Sequence, residues 1–293
     1  MKVDNAIIMA AGTSSRFAPI SFEKPKALIN VRGEILIERQ IRQLKEAGIG
    51  EVVVVMGYKA DHFQYLRDKF DVVLIHNDEY LMRNNNSSIY AVRDYLKNSY
   101  ICSSDNYFID NPFDKDVDES YYSSVYVKGL TNEWCIREEN GWIKDVKIGG
   151  RDSWIMMGHV FWSSSFSNKF ISILEEEYDK KETADKLWES IYIEHIGSLP
   201  MKIRKFPDNY IFEFDTLDEL RVFDNSYMDN SGSEILKCIS KKLGVRERDI
   251  TNLRAFKSSD NSASGFDFFA SGKEYRYLYK TNDMEEKNEQ EKN

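Results

Sequence analysis

Between Asn5 and Ser104 four strand-like apolar runs alternate with helix-spaced segments, and nothing else in the 293 residues restricts the fold as much. Residues 5–10 (NAIIMA) read as a short buried strand running into the small-residue loop Ala11-Gly12-Thr13-Ser14-Ser15-Arg16. From Glu34 the apolar residues Ile37, Ile41 and Leu44 recur at helical spacing, and Gly48 closes the helix. Four consecutive valines within 51–57 call for a strand covered on both faces. Asp61 caps a helix carrying Phe63, Leu66 and Phe70, and 72–75 is a strand again. Ile89, Val92 and Leu96 share one face of a helix over 87–97, and a strand follows over 100–104. Such alternation predicts an α/β fold, a mostly parallel sheet with right-handed crossovers and flanking helices.

Beyond Ser104 the pattern changes. A strand is expected over 122–128, and segments 133–137 and 142–148 flank Asn140-Gly141, the dipeptide favoured in a tight hairpin. One more strand is expected over 154–162, then helices over 166–180 and 184–196. Residues 200–204 and 210–215 read as extended, and Leu217–Phe223 as a helix. The polar stretch 225–233 marks a boundary. After it come a helix over 235–243 and a hairpin of 266–269 with 275–279. From Thr281 the composition is charged and amide-rich, as in a disordered tail. The expected division is a mixed-sheet domain at 1–225, a small α+β appendage at 233–280 and a tail at 281–293.

Charge and composition narrow the function classes. With 42% hydrophobic residues the chain is not globally disordered. Its net charge is −9, of which the last stretch, with five acids and two lysines, supplies −3. An acidic chain without a basic stripe is a poor partner for nucleic acid. Cys102, Cys135 and Cys238 are widely spaced, with neither CxxC nor metal-ligand spacing, which points to a reducing compartment. Residues 1–9 have no long apolar stretch with a cleavage site, and no run approaches the roughly eighteen apolar residues of a membrane span. A cytoplasmic protein is expected.

Three groups of residues carry chemistry. A strand ending in Ala10-Ala11-Gly12 lets backbone N–H groups approach an oxyanion or a base edge closely, because no large side chain intervenes. Arg16 and Lys26 follow within a few turns of chain. The spacing is neither GxxxxGK[ST] nor GxGxxG, and the loop alone equally suits a plain strand-to-loop turn with solvated cations. In Lys24-Pro25-Lys26-Ala27-Leu28, Pro25 fixes its own φ and pushes Lys24 toward an extended conformation. A lysine on so stiff a segment, beside a phosphate-binding loop, stabilises charge developing on a transferring phosphoryl group. Lys24 itself reads as a surface turn residue. In Ser104-Asp105-Asn106, Asp105 follows a strand at its C-terminal end, where open α/β sheets place their ligands. An aspartate there is ordinarily a turn or cap residue, and becomes a metal candidate only with a second carboxylate. Strand alternation over 210–215 would put Glu213 and Asp215 on one face and supply it. Two carboxylates with waters and phosphate oxygens are usual surroundings for Mg²⁺.

Taken together these residues resemble the nucleotidyltransferase family that activates sugar phosphates and alcohol phosphates. Its signature is a strand, an AAG-x-x-SR loop and then KPKAL, present here as Ala10 to Arg16 and Lys24 to Leu28. Ser14 stands where family members often have a second glycine. Within the family the chain is most similar to bacterial CTP:phosphocholine cytidylyltransferases of the LicC type, over roughly residues 3–225. That likeness includes Gly57-Tyr58, His76-Asn77-Asp78-Glu79-Tyr80, Asn84-Asn85, Asp105-Asn106-Tyr107, Thr131-Asn132-Glu133-Trp134 and Phe212-Glu213-Phe214-Asp215. The resemblance implies a Rossmann-like domain that binds CTP over Ala10, Ala11 and Gly12, with Asn84 and Ser104 also at the nucleotide. It implies Lys26 on the α-phosphate, Arg16 on the triphosphate that departs as pyrophosphate, and Mg²⁺ on Asp105 and Asp215. The implied reaction is in-line attack by a phosphate oxygen of the acceptor on the α-phosphorus. Positioning and charge neutralisation carry such a transfer, so no nucleophilic triad is needed.

Trp134, Trp188, Tyr192 and Glu213 lie in segments matching those that line the choline site of LicC-type enzymes. Aromatic faces with a carboxylate nearby suit a quaternary ammonium. Trp188 and Tyr192, spaced i, i+4, equally read as core. Where LicC-type enzymes often have aromatics after the paired asparagines, this chain has Asn86-Ser87-Ser88, which also suits a more polar acceptor. Such acceptors are 2-aminoethylphosphonate, phosphoethanolamine or a sugar phosphate, the last with another nucleoside triphosphate. Residues 235–280 resemble the opening segment of a choline-kinase-type N-lobe and read as a packing or homodimer element. The rival of another class is a nucleotide-binding regulatory protein without turnover. The joint presence of Arg16, Lys26, Asp105 and Asp215 speaks against it.

Overall fold

The computed structural model describes residues 1–258 and 263–287 and falls into two compact units. Met1–Gly12 joins Leu36–Glu213 in the first; Thr13–Ile35 joins the chain from Phe214 onward in the second.

The first unit holds β1 (Asn5–Ala10), α1 (Leu36–Glu46), β2 (Glu51–Met56), α2 (Tyr65–Phe70), β3 (Val73–His76), α3 (Asn86–Ala91) and β4 (Ser99–Ser103). It continues through β5 (Asn106–Phe108), β6 (Tyr121–Glu139), β7 (Trp142–Trp162), α4 (Ser164–Glu177), α5 (Trp188–Glu194), β8 (Lys202–Phe206) and β9 (Ile211–Glu213). Seven strands form one mixed sheet in the order β8-β6-β7-β4-β1-β2-β3. β4, β1, β2 and β3 run parallel, while β7 is antiparallel to both β4 and β6. Ile7, Ile8 and the four valines of β2 are fully buried, as a strand covered on both faces requires. This is the expected Rossmann-like sheet.

Several details differ from the sequence reading: Asp61 lies inside a 3-10 turn, Ala60–Phe63, and caps no helix, and Glu34–Ile35 is a short strand ahead of α1. The helix expected over 87–97 is only α3 followed by a 3-10 turn, because Val92 leaves helical geometry at φ −113°. The separate strand pieces at 122–128 and 133–137 are one long β6, paired with an equally continuous β7. Asn140 and Gly141 close that hairpin with φ of 53° and 81°, the paired positive values a two-residue turn of this kind needs.

The second unit gathers the turn Ser15–Phe17, the helical turn Ile20–Glu23, the turn Lys26–Leu28 and a two-stranded hairpin of Asn30–Val31 with Glu34–Ile35. With them go α6 (Leu217–Phe223) and α7 (Glu234–Leu243). An antiparallel sheet follows, with β10 (Thr251–Lys257), β11 (Ala263–Ala270), β12 (Lys273–Leu278) and β13 (Asp283–Glu286) in linear order. The expected hairpin is β11–β12. The segment expected to be a disordered tail instead begins with a strand, β13, in which Met284 lies opposite Tyr277. Cross-strand pairs such as Lys273 to Glu286 (2.8 Å) explain how so charged a sequence forms an edge strand. Residues 288–293 of that expected tail lie outside the described residues. Among the described residues no helix is long and apolar enough to cross a membrane.

One buried side chain ties α6 to the segment that precedes β10. The Arg221 guanidinium donates to the carbonyls of Ile250 (2.6 Å), Glu247 (2.7 Å) and Tyr227 (3.3 Å). It also pairs with Asp218 at 3.1 Å. Replacing it by methionine would strand three carbonyl acceptors, two of them on well-formed bonds. Arg221→Met is expected to lower stability by about 3 kcal/mol, read as a shifted urea midpoint at unchanged m-value.

Candidate active site

In the first unit the sheet places β1, β2, β3 and β4 with their C-terminal ends at one edge. The chain proceeds from β1 to β2 and β3 on one side, and β4 lies on the other side of β1. Open α/β sheets bind ligands at such a reversal, outside the carboxyl ends of the strands. The two segments leaving there are Ala10-Ala11-Gly12 and Ser104-Asp105. They are adjacent: the Ser104 N–H donates to the Met9 carbonyl at 3.2 Å. On the other flank the Tyr58 N–H donates to the Ala11 carbonyl at 3.0 Å. Gly57 allows this approach, since a Cβ there would lie 2.9 Å from the Ala11 oxygen and 2.7 Å from Cγ of Tyr80. Gly12 has open space on its Cβ side.

The position of Asp105 is set by side chains of α1. The Gln40 amide donates to the carbonyls of Ser103 (2.8 Å) and Asn106 (2.9 Å), and Arg39 donates to that of Ile109 (2.7 Å). Ile37, Ile41 and Leu44 made α1 legible as a helix, but these polar residues are what brace the loop. Asn106, buried, lies opposite Glu213 in the β5–β9 ladder and donates to its carboxylate at 3.3 Å.

The paired asparagines splice α3 to α5. Asn84 donates to the Asp185 carbonyl (3.1 Å), and Asn85 accepts from the Trp188 N–H (2.7 Å) while donating to the Glu189 carboxylate (3.1 Å). Ser87 and Ser88 accept from the Asn77 amide at 2.8 and 3.2 Å, and the Asn86 amide donates to the Thr183 carbonyl at 2.9 Å. The polar groups that suggested a polar acceptor pocket are thus engaged inside the fold.

Trp188 and Tyr192 are fully buried and pack with Trp162, Phe166 and Phe170. Tyr122 stacks on Trp188 (ring centroids 5.9 Å apart) and its hydroxyl donates to Glu189. Burial pushes the Glu189 carboxyl up to about 7, against the opposing hydrogen bonds from Asn85 and Tyr122. Trp134 is half-buried on β6, opposite Ile148. Glu189 and Tyr122 escaped the sequence reading. The available signal was an acid immediately after a tryptophan that begins a core-facing helix.

In the second unit the structure brings Arg16, Lys26 and Asp215 together. The Asp215 carboxylate accepts from Arg16 at 2.5 Å and lies 4.0 Å from the Lys26 ammonium. Lys26 is 4% exposed and lies over the Phe17 ring at 5.7 Å, whereas the Arg16 side chain is largely in solvent. Lys24 is extended (φ −148°), as its place before Pro25 requires, and partly buried; burial lowers its pKa below the usual lysine value. Ser14 has φ 48° and ψ 40°, the left-handed conformation that suits glycine, which explains why a glycine is common at this place of the signature. Asp215 does not share a strand face with Glu213. β9 ends at Glu213, and Asp215 leads into α6, where Glu219 accepts from the Asp215 N–H (2.7 Å) and forms a capping box with Thr216.

Residues 6–113 match the family model of the MobA-like NTP transferase domain. The choline-phosphate cytidylyltransferase of Streptococcus pneumoniae is 35% identical over 217 residues, 74% of this chain and 95% of the relative. The 2-aminoethylphosphonate cytidylyltransferase of Lancefieldella rimae is 34% identical over 229 residues, 76% of this chain and 93% of the relative. The solved structure of the S. pneumoniae CTP:phosphocholine cytidylyltransferase LicC superposes with a TM-score of 0.74 at 34% identity, covering 77% of this chain and 99% of that one. The chain belongs to the nucleotidyltransferase family of these cytidylyltransferases, and it is an enzyme of that class.

Gly57→Ala tests the loop packing. The added methyl has to displace Tyr80 or the Ala11 carbonyl, so stability should fall by about 1–3 kcal/mol with a weakened nucleotide KM. An unchanged melting temperature and KM would show that the contact is not tight.

Proposed function

We propose that the enzyme transfers CMP from CTP to phosphocholine, giving CDP-choline and pyrophosphate. The observation that carries the acceptor side is the Tyr122–Glu189–Asn85 group, a carboxylate set against stacked aromatic rings, which is the chemistry a quaternary ammonium seeks. The relatives named for choline phosphate support the same reading. Trp134 and Glu213 are proposed to complete the acceptor side, with Trp188 and Tyr192 as the core layer behind Tyr122.

A phosphate oxygen of the acceptor attacks the α-phosphorus of CTP. The bond to the bridging oxygen of the β-phosphate breaks, and its electron pair leaves with pyrophosphate. Lys26 neutralises charge on the α-phosphate and Arg16 on the departing group, while the N–H groups of Ala10-Ala11-Gly12, with Asn84 and Ser104, hold the nucleotide. Asp105 and Asp215 are each proposed as ligands of Mg²⁺. The donor chemistry fits, since the Asp215 carboxylate is one-third exposed and offers the oxygen donors this ion takes. The ion would add charge neutralisation on the triphosphate. Residues 1–225 are proposed to carry catalysis, and a cytoplasmic location is proposed with them because it suits an enzyme that consumes CTP. A second reading, transfer to 2-aminoethylphosphonate, is favoured by the L. rimae relative of nearly equal identity.

A pyrophosphate-release assay of the four nucleotides against phosphocholine, phosphoethanolamine, 2-aminoethylphosphonate and several sugar phosphates tests the proposal. CTP with phosphocholine should give the highest kcat/KM, and a clear preference for another pair overturns it. Lys26→Ala and Asp105→Ala should each lower turnover by roughly 10²–10⁴-fold with the fold intact. Near-wild-type release by either variant would rule out the mechanism.

Glu189 adds a pH signature. Its folded-state pKa lies above that of an unfolded glutamate, so the stability it gives is complete at low pH and is lost as pH rises toward and through about 7. The ionised form, which attracts the ammonium, grows over the same range. The acceptor KM should therefore fall between about pH 6 and 8 in the wild type, beyond what titration of the acceptor phosphate causes. In Glu189→Gln this extra pH dependence should vanish, and its melting temperature should gain on the wild type as pH rises. Parallel profiles for the two proteins would exclude the role.

A further inference from the structure

The S. pneumoniae cytidylyltransferase, matched over 95% of its sequence and 99% of its solved structure, accounts for 74% and 77% of this chain, and the antiparallel sheet near the C-terminus is extra to the nucleotidyltransferase fold. That sheet falls in the same compact unit as the segment carrying Arg16 and Lys26. Three contacts join them. The Phe22 ring stacks on Tyr279, centroids 3.7 Å apart and planes 5° from parallel. The Glu23 carboxylate accepts from the Ile235 N–H at 2.9 Å, in the first turn of α7, where the helix dipole favours an anion. The third is β10 lying against the Ser15–Phe17 turn, which contains Arg16. Phe22 and Glu23 immediately precede Lys24-Pro25-Lys26. Pro25 fixes its own φ and so removes one backbone freedom between Glu23 and Lys26.

We infer that the added helix and sheet act as a brace that sets the position of Lys26 and Arg16, so that nucleotide use in this enzyme depends on a part its relatives lack. Phe22, Glu23 and Tyr279 are positioning residues, and the inference rests on the reading that Lys26 and Arg16 serve the triphosphate. A misplacement of about 1 Å at such a group can cost on the order of a hundredfold in rate.

The test uses the full chain with CTP and phosphocholine, measuring both KM values, kcat and melting temperature for Tyr279→Ala, Glu23→Ala, Tyr279→Phe and Lys273→Ala. Tyr279→Ala and Glu23→Ala should lose roughly tenfold to a hundredfold in kcat/KM for CTP, with the phosphocholine KM unchanged. Tyr279→Phe, which keeps the stack, and Lys273→Ala, an exposed charge of the same sheet, should behave as wild type. Wild-type kinetics in folded Tyr279→Ala and Glu23→Ala overturn the brace. A rise in the phosphocholine KM as large as the loss toward CTP also overturns it, because that is what general destabilisation produces. Should Tyr279→Ala fail to fold, Glu23→Ala decides alone. Lys26→Ala in the same series separates the two levels: retained turnover there refutes the catalytic reading, whereas its loss beside unaffected brace variants refutes only the brace.

Discussion

A lysine ammonium with 4% of its surface exposed has surrendered nearly all its hydration, and the second unit is arranged around that fact. Removing such a charge from water costs several kcal/mol unless an anion stands near. Asp215 is that anion, 4.0 Å away, and it is shared with Arg16 at 2.5 Å. The carboxylate is held in turn by the entry of α6, where Glu219 accepts from its backbone. α6 is fixed by Arg221, whose guanidinium grips the carbonyls before β10. Lys26, Asp215, α6 and the added sheet thus form one mechanical series, and each member is placed by the one after it.

Phosphoryl transfer asks for this kind of rigidity. No side chain becomes a covalent intermediate, so catalytic power comes from charges that are already where they are needed. Pro25 and the buried stem of Lys26 remove freedom from the signature segment of the second unit. In the first unit Gln40 and Arg39 restrain the loop bearing Asp105 by donating to the carbonyls of Ser103, Asn106 and Ile109. The junction of α3 and α5 is built on the same plan, with Asn85 joining the two helices through a backbone N–H and the Glu189 carboxylate.

Much of this was legible in the residues. Alternating period and the valine run specified the sheet, because burial on both faces leaves no other pattern. The signature AAG loop with KPKAL pointed to Arg16 and Lys26, which do lie together. The pairing of Asp215 with Glu213 on one face failed: alternation assumes that a strand continues, and the helix-capping demand of Thr216 ended it at Glu213. The edge strand β13 was hidden because its cohesion lies in ion pairs across the ladder, not in apolar alternation. Glu189 was hidden because a half-buried acid looks like any solvent-facing acid until Tyr122 and Asn85, 67 and 104 positions away, are brought to it. Ser87 and Ser88 looked free to shape a pocket, and their Asn77 partner could be located only in three dimensions.

The discontinuity of the second unit bears on how the chain is made. Arg16 and Asp215 are 199 positions apart, and Glu23 and Ile235 are 212 apart. During synthesis at about 5–20 residues per second, the signature segment emerges early and then waits roughly 10–40 s for its first counter-charge. In that interval residues 36–213 emerge complete and can lay down their sheet. Closing so long a loop costs entropy that grows only with the logarithm of its length, so the delay is kinetic more than energetic. A nascent or truncated chain ending before Asp215 therefore cannot complete its charge cluster, and Arg16 and Lys26 are among the last side chains of the molecule to find their partner.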